Sequence, residues 1–274
     1  PVVATLHGVW DCIYFYQDVI NTIFIDRLLP ITPEVEHALL KRKIVPRSKT
    51  QVVYLGIDTK KFVPAKDKAR AKKRWGIDEN NLVVAMICRF DFVKDHLTFL
   101  KVATRIIEKF PKVKFLIAGD TKINLENTSD VARQVKKQLD DYLTQHPKLA
   151  PHMIFTDYQE DIRPIYDATD ILFSSSLSET LPVTFLEGAA CSLPIVSLKL
   201  DSRHRIVTDG KNGFISPPGR IDLLTHNLLT LLEDAKMRSQ FGLYSQKLAS
   251  EYFTAERYAQ EIEKVYQNLL NKRR

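Results

Sequence analysis

The sequence predicts an α/β fold with parallel sheets, and two observations carry that prediction. Short runs rich in β-branched residues, such as Leu82–Cys88 (LVVAMIC), alternate with longer segments in which apolar residues recur at helical spacing. The runs are apolar throughout rather than at every second position, which is typical of strands that helices cover on both faces. We therefore expect a parallel sheet between two layers of helices, with ligands bound beyond the carboxyl ends of the strands.

Five elements are predicted in the N-terminal part of the chain. They are strand Pro1–Leu6, a helix over Asp11–Ile23, strand Arg27–Ile31, a helix from Pro33 to about Lys43, and strand Gln51–Tyr54. Thr32 precedes the second helix as a cap, and Pro33 suits its first turn, where a missing N–H costs nothing. The next residues, Leu55–Lys66, carry glycine and proline without a helical period, which is typical of a domain boundary.

Strands and helices then alternate to the end of the chain. The predicted strands are Leu82–Cys88, Val113–Ala118, Met153–Thr156, Ile171–Phe173, Leu193–Ser197 and Asn212–Ile215. The predicted helices are Asp95–Phe110, Thr128–Gln145, Ile162–Asp167, one that begins at Leu181–Pro182, Arg220–Glu233, Ala235–Glu251 and Ala255–Leu270. This alternation predicts a larger α/β domain over residues 61–252, which follows a smaller one over residues 1–60.

The composition is that of a globular protein with an excess of positive charge. Of the 274 residues, 45% are hydrophobic and 27% are charged, and the net charge is +7. That charge suits an anionic substrate, an acidic membrane surface or nucleic acid. The basic residues form only short clusters, Lys41–Lys43, Lys66–Arg74 and Lys272–Arg274, which favours a solvated basic surface. The three cysteines have neither metal nor redox spacing, which predicts buried thiols in a reducing compartment.

The stretch Ile171–Ser197 combines a strand, a small-residue loop and a helix that begins near Pro182. The first N–H groups of a helix have no partner within it and point outward at the positive end of its dipole, so this arrangement predicts an anion pocket. Glu179 precedes the helix and Glu187 lies within it, with seven residues between them. A diphosphate at the helix N-terminus would place one sugar against each carboxylate. The alternative is a helix cap for Glu179 and a solvated position for Glu187.

Three further residues follow predicted strands and are candidates for the same site. Arg89 and Lys94 follow Leu82–Cys88, at the sheet edge where open α/β sheets bind ligands. Arg89 and Lys94 could equally form a surface pair, but their place on the same edge as the two glutamates favours an anion site. His7 follows the first strand and could face the cleft between the two domains, although a single histidine is more often structural.

Three motifs resemble the retaining nucleotide-sugar glycosyltransferases of the GT-B fold, family four. The stretch SETLPVTFLEGAACSLPIV is similar to their Glu-x7-Glu signature, CRFDFVKDHLTFL to their G-R-x-x-x-x-K-G loop, and LGID with Phe62 to NGVDxxxF. Departures from the family pattern are also visible. Thr180 and Ser192 stand at usual glycines, Leu55 at a usual asparagine, and Asp201–Arg205 in place of Gly-Gly-x-x-Glu. Cys88 and Asp95 replace the small residues that often flank the G-R-x-x-x-x-K-G loop.

The resemblance implies a fold and a set of roles. It implies two Rossmann-like domains, with residues 253–274 forming a helix that crosses back to the first. The opening strands of that first domain have no counterpart before Pro1, so we expect a chain truncated at its N-terminus. His7 and Glu179 would be catalytic residues at the donor sugar. The substrate-binding residues would be Arg89, Lys94, Leu181, Val183 and Thr184 at the diphosphate and Glu187 at the ribose, with the base near Thr156–Gln159.

The leading hypothesis is a hexosyltransferase that moves a sugar from a UDP-, GDP- or ADP-linked donor to a glycan or lipid-linked alcohol. The absence of Asp-x-Asp and of clustered ligands in the sequence predicts that it needs no metal and no cofactor. We expect a protein of the cytoplasm or of the cytoplasmic face of a membrane, with peripheral contact through its basic surface and no nucleic-acid partner. The alternatives are a non-catalytic nucleotide-sugar-binding relative or subunit, and a phosphorylase or synthase on the same fold.

Overall fold

The computed structural model of the chain describes residues 1–8, 15–119, 130–199 and 206–271. Several predictions fall partly or wholly outside these ranges: the start of the first helix, the start of the helix predicted at Thr128–Gln145, the departure at Asp201–Arg205 and the basic cluster Lys272–Arg274. The described residues form two parallel sheets, one of two strands and one of six, which is the predicted fold class. Within these ranges, no helix combines the length and apolar character that crossing a bilayer would require.

The first sheet is a strand–helix–strand unit followed by a capped helix. Its elements are β1 (Val3–Leu6), α1 (Phe15–Phe24), β2 (Arg27–Pro30) and α2 (Pro33–Lys41), and the two strands pair in parallel. The cap predicted at Thr32 is confirmed, because its hydroxyl accepts a hydrogen bond from the Val35 N–H at 3.3 Å. Thr32 is fully buried, so this bond fixes the turn between β2 and α2.

The strand predicted at Gln51–Tyr54 is wrong, although the segment lies beside β2. The Gln51 N–H donates to the Leu28 carbonyl at 3.0 Å, and the Val53 N–H donates to the Pro30 carbonyl at 3.0 Å. A parallel ladder needs a bond back from residue 30 between these two, and Pro30 has no N–H to donate. The apolar run is therefore extended and buried at Val53 without a complete ladder.

The second sheet has the strand order β5-β4-β3-β6-β7-β8, and every neighbouring pair is parallel. Its strands are β3 (Leu82–Ile87), β4 (Val113–Ala118), β5 (Met153–Thr156), β6 (Ile171–Ser174), β7 (Ile195–Leu198) and β8 (Gly213–Ser216). The remaining helices are α3 (Lys68–Arg74), α4 (His96–Lys109), α5 (Asp130–Gln145), α6 (Arg163–Ala168), α7 (Val183–Ala190), α8 (Ile221–Glu233), α9 (Ala235–Tyr252) and α10 (Ala255–Asn271). All six strands predicted for this part of the chain are confirmed.

Alternate residues of β3 enter different cores, which explains why the run is apolar throughout. Val84 and Met86 pack in a cluster with α4 and α8, whereas Val83 and Ala85 pack in another that includes Ile165 of α6. Alternate side chains of the strand are thus buried on opposite faces of the sheet.

The basic cluster Lys66–Arg74 is not simply a solvated surface, as the sequence suggested. Most of it forms α3, and the Lys72 side chain is buried. The ammonium groups of Lys68 and Lys72 lie 3.0 and 2.9 Å from the carboxylate of Asp170, which also accepts the Val83 N–H. The cluster therefore joins α3 to the amino ends of β3 and β6.

The two sheets are connected where the chain passes between them at residues 55–57 and 253–255. The Ile57 N–H donates to the Phe253 carbonyl at 2.8 Å, and the Ala255 N–H donates to the Ile57 carbonyl at 2.9 Å. A Cβ on Gly56 would lie 2.3 Å from the Thr254 carbonyl oxygen, so only glycine fits this approach. Helix α10 then packs against the first sheet in a cluster of Leu29, Val53, Val265 and Leu269.

Candidate functional site

The carboxyl ends of the neighbouring strands β3 and β6 bring Lys94 and Glu179 together. The Lys94 Nζ lies 2.6 Å from the Glu179 Oε1, and the two side chains are only 14% and 17% exposed. Lys94 ends the short 3-10 helix Phe92–Lys94, and Glu179 lies on the loop after β6. Two residues chosen from separate motifs in the sequence thus form one half-buried ion pair.

Small buried residues hold the two loops against each other. The Ser175 hydroxyl donates to the Asp95 carbonyl at 2.8 Å, and the Leu177 N–H donates to the Val93 carbonyl at 2.7 Å. The Ser176 hydroxyl donates to the Glu179 Oε1 at 2.9 Å. Ser175 and Ser176 are fully buried, so the run of serines is explained by a contact that admits only small side chains.

Two departures from the family pattern lie at left-handed backbone positions. Asp95 has φ +48°, and Ser192 has φ +61°. Glycine is the usual residue in that region because it has no Cβ. Asp95 offsets its strain by capping α4, since its carboxylate accepts the Thr98 N–H at 3.2 Å.

Arg89 does not join the Lys94–Glu179 pair. Its guanidinium lies 3.1 Å from the carboxylate of Asp91, and its side chain is 73% exposed. It remains at the carboxyl edge of the sheet, close along the chain to Lys94, but the structure brings it to solvent. The two cations predicted for the site therefore differ in setting.

Helix α7 begins one residue later than predicted, at Val183, with Pro182 as the residue before its first turn. Among the described residues, no side chain caps this N-terminus. Leu181 is buried, whereas Val183 is 41% exposed. The first N–H groups of an α-helix have no partner within it, and in α7 these include that of Thr184.

Glu187 lies in the second turn of α7 and accepts a hydrogen bond from Tyr166 at 2.7 Å. Tyr166 is 1% exposed, so its hydroxyl is committed to groups inside the protein. Burial raises the pKa of the Glu187 carboxyl, and the bond from Tyr166 opposes that rise. Burial raises the pKa of Tyr166 as well. Sequence reasoning missed Tyr166, because no motif links the short helix α6 to Glu187.

The turn after β1 lies beside the Glu179 loop. A Cβ on Gly8 would be 3.5 Å from the Thr180 hydroxyl oxygen, which places the Gly8 backbone close to the Thr180 side chain. His7, which precedes Gly8, is exposed. The structure thus brings the His7 turn of the first sheet and the Glu179 loop of the second to the same cleft.

A second group that the sequence did not single out lies beneath Lys94. The His96 Nε2 is 3.3 Å from the Cys88 Sγ, and the imidazole stacks on Phe90 at 4.7 Å between ring centroids. Burial, helped by the charge of Lys94, lowers the pKa of His96 to about 4. Burial also raises the pKa of the Cys88 thiol to about 12. Both groups are therefore neutral at physiological pH and give the cation loop an uncharged support.

The structure also locates the remaining predicted positions. Thr156 ends β5 with its side chain buried, and Tyr158 in the following loop is 74% exposed. The described ranges contain no group of three or more His, Cys, Asp and Glu side chains that could hold a metal ion. Of the predicted buried thiols, Cys191 is buried and Cys88 partly so, while Cys12 lies outside the described residues.

Known proteins match most of this chain. A model of the family described as glycosyl transferases group 1 matches residues 67–248, more than half of the chain. The D-inositol 3-phosphate glycosyltransferase of Kribbella flavida is 27% identical over 222 residues, which are 79% of this chain and 50% of that protein. The UDP-Gal:alpha-D-GlcNAc-diphosphoundecaprenol alpha-1,3-galactosyltransferase of Escherichia coli is 25% identical over 247 residues, 85% of this chain and 60% of that protein.

Solved structures agree on the fold. Anabaena Alr3699/HepE in complex with UDP and glucose has a TM-score of 0.84 at 20% identity, over 97% of this chain and 71% of that one. At such identity the likeness establishes the GT-B fold, and this chain spans only 50% and 60% of the two curated relatives named above. The family match, together with the Lys94–Glu179 pair at the start of α7, leads to one conclusion. The chain belongs to the glycosyl transferases group 1 family.

Proposed function

We propose that the protein transfers a hexosyl group from a nucleotide sugar to an alcohol, with retention of configuration at the anomeric carbon. The observation that carries this proposal is the 2.6 Å contact between Lys94 and Glu179 at the start of α7, with Glu187 further along the same helix. A cation, a helix N-terminus and two carboxylates then face one edge of the sheet. The diphosphate of a nucleotide sugar would bind the cation and the helix N-terminus, and the hydroxyls of its sugars would donate to the carboxylates.

The diphosphate is assigned to the helix N-terminus. The backbone N–H groups of Leu181, Val183 and Thr184 would donate to its oxygens, with Lys94 as a point charge and Arg89 as a cation at the solvent side. As the glycosyl bond breaks, negative charge grows on the leaving diphosphate. Cations and N–H dipoles fixed beside it then stabilise the transition state more than the ground state.

The two carboxylates are assigned to different sugars. Glu187, held by Tyr166, would accept from the ribose hydroxyls, and Glu179 from hydroxyls of the donor hexose. His7 would contact the donor sugar from the first sheet, since its turn lies beside Thr180. In this assignment no protein metal ligand takes part, and the leaving group is neutralised by the chain's own cations.

The relatives favour UDP as the first nucleotide to test. Alr3699/HepE has been solved with UDP, with UDP and glucose, and with UDP-glucose, and the Escherichia coli relative is named for a UDP-Gal donor. GDP- and ADP-linked donors stay in the proposal. The acceptor would be a glycan or a lipid-linked alcohol, and for the latter the basic surface would contact an anionic bilayer.

Calorimetry with UDP, GDP and ADP, together with turnover of labelled nucleotide sugars, tests the proposal. We expect the protein to bind a nucleoside diphosphate, and we expect its transfer product to show retained anomeric configuration by NMR. Binding without turnover would favour a non-catalytic relative. Turnover that requires inorganic phosphate would favour a phosphorylase.

A further inference from the structure

The ion pair at the centre of the site joins two residues that the proposed function gives to different parts of the donor. Lys94 is assigned to the diphosphate, and Glu179 to the hexose. In the structure each is the partner of the other at 2.6 Å. A ligand that binds Lys94 must therefore share it with Glu179 or take the place of Glu179. The same holds for a ligand that binds Glu179.

We propose that Glu179 competes with the diphosphate for Lys94, so that the site favours a nucleotide sugar over the bare nucleoside diphosphate. This inference rests on the proposed function and adds a role to Glu179 beyond contact with the sugar. It makes Glu179 a residue that decides which nucleotide the site retains.

The setting of the pair supports competition. Both side chains are mostly out of water, at 14% and 17% exposed, whereas the Lys247–Glu251 pair on α9 is 67% and 45% exposed at 3.8 Å. Charges removed from water interact more strongly and are costly to leave unpaired. A diphosphate that takes Lys94 away from Glu179 thus removes a close cation from a mostly buried carboxylate.

Sharing Lys94 does not remove the cost. The Ser176 hydroxyl donates to Oε1 of Glu179, the same oxygen that contacts Lys94, and Ser176 is fully buried. The carboxylate is therefore fixed beside the ammonium. A phosphate bound to that ammonium would bring a second anion into the same neighbourhood, where like charges repel.

A nucleotide sugar offers an exchange that the bare nucleotide does not. Its phosphates take Lys94, and the hydroxyls of its hexose donate to Glu179 in place of Lys94. Once the hexose has left, those donors are gone, and the Lys94–Glu179 pair can form again. The competition therefore favours release of the nucleoside diphosphate after transfer.

Glu179→Gln tests this inference, because it removes the charge and keeps the size and an acceptor oxygen. With UDP as the probe, calorimetry should show about threefold to tenfold tighter binding than in the unaltered protein. The preference for UDP-glucose over UDP should fall by at least the same factor. Glu251→Gln is the matched control, since it breaks an exposed Lys–Glu pair and raises the net charge equally; UDP affinity should not change.

The outcomes separate this inference from the function on which it rests. Lys94→Gln should weaken UDP binding, which tests the phosphate assignment independently. If Lys94→Gln weakens UDP binding but Glu179→Gln leaves it unchanged or weakens it, the competition is refuted and the proposed function stands. If the protein binds none of UDP, GDP and ADP, both fall. Thermal unfolding of each variant without ligand verifies that it is folded.

Discussion

The hydroxyl of Tyr166 should control the pH at which nucleotide binding is lost in acid. Ribose hydroxyls donate best to an ionised carboxylate, so UDP affinity should fall as the pH drops through the pKa of Glu187. Burial raises that pKa, and the bond from Tyr166 opposes the rise. In Tyr166→Phe the opposing bond is lost, and the acid limb of the affinity profile should move to higher pH.

Calorimetric titrations with UDP across the acid range measure this shift. Tyr142→Phe provides the control, because its hydroxyl is hydrogen-bonded to Thr104 at 3.1 Å, away from Glu187. Weaker binding with an unmoved profile would mean that Tyr166 acts only by packing.

The two cations should contribute unequally to diphosphate binding, contrary to what their shared motif suggests. Lys94→Ala should weaken UDP binding by about 1.5–3 kcal/mol, the range for a hydrogen bond to a charged group. Arg89→Ala should cost less than about 1 kcal/mol, because its guanidinium is 73% exposed and already contacts Asp91. Uridine, which lacks phosphates, should bind all three proteins alike. Equal losses for uridine and UDP would contradict the phosphate assignment.

At this scale the sequence predicts which residue types follow each strand, but not which of them touch. Strand order decides that the loops after β3 and β6 are neighbours, and the 2.6 Å contact between Lys94 and Glu179 follows from that order. The partner of Glu187 is Tyr166, twenty-one residues earlier in sequence. Local patterns carry no signal for such a pairing, since it depends on how α6 packs beside α7.

The start of α4 shows how an element can depend on one strained residue. Asp95 has φ +48° and caps the helix through Thr98. Asp95→Gly should relieve the backbone strain and lose the cap. The free energy of unfolding should therefore change by only about a few tenths of a kcal/mol, the usual difference between Asp and Gly at a cap. Asp95→Ala loses the cap and keeps the strain, so it should cost about 1 kcal/mol, the typical value for a lost cap.

Urea denaturation of the two variants measures the difference. Ser192→Gly serves as a comparison, because Ser192 has φ +61° at the end of α7 and caps no helix start. It should leave stability unchanged or raise it slightly. An Asp95→Ala protein as stable as Asp95→Gly would show that the left-handed backbone at this position carries no strain.

Secondary-structure elements could be predicted where a single sequence signal determined them. The predictions failed where two signals opposed each other. The strands of the second sheet are apolar on both faces, so composition alone locates them. Gln51–Tyr54 is also rich in β-branched residues. Pro30 on the neighbouring strand β2, however, has no N–H to donate to this segment, so the ladder is incomplete. Helix α3 is mostly basic and lacks an apolar stripe. The charge of its buried Lys72 is paired with Asp170, ninety-eight residues later, so no local pattern predicts its burial.

For the whole molecule, Gly56 is expected to be a glycine that tolerates no side chain, because it lies at the junction of the two sheets. A methyl group there would lie 2.3 Å from the Thr254 carbonyl oxygen and would separate Ile57 from its partner. Gly56→Ala should therefore lower the free energy of unfolding by about 3 kcal/mol or more.

Gly76→Ala is the matched control for that substitution. Gly76 has φ +67°, and a Cβ there meets nothing within 4 Å, so alanine costs only the strain of the backbone, about 1–2 kcal/mol. Thermal and urea unfolding of both variants give the comparison. A Gly56→Ala protein no less stable than Gly76→Ala would mean that the junction adjusts easily.

The overall architecture could be predicted because its motifs carried a resemblance to a known fold, which the family match and the solved structures confirm. The placement of the His7 turn beside Thr180 could not be predicted from composition or spacing. It depends on how two sheets pack across a junction, and no local pattern specifies that. The departure at Asp201–Arg205 lies outside the described residues.

The pairing of Ile57 with Thr254 also has a mechanical consequence. The chain passes between the two sheets twice, at residues 55–57 and 253–255. Hydrogen bonds of 2.8 and 2.9 Å join these two segments. A double connection of this kind would oppose sliding of one sheet past the other more than rotation about the line that joins Ile57 and Thr254. Such a rotation would change the gap between Gly8 and Thr180, which belong to opposite bodies. It would leave the Lys94–Glu179 pair intact, because both residues move with the second sheet.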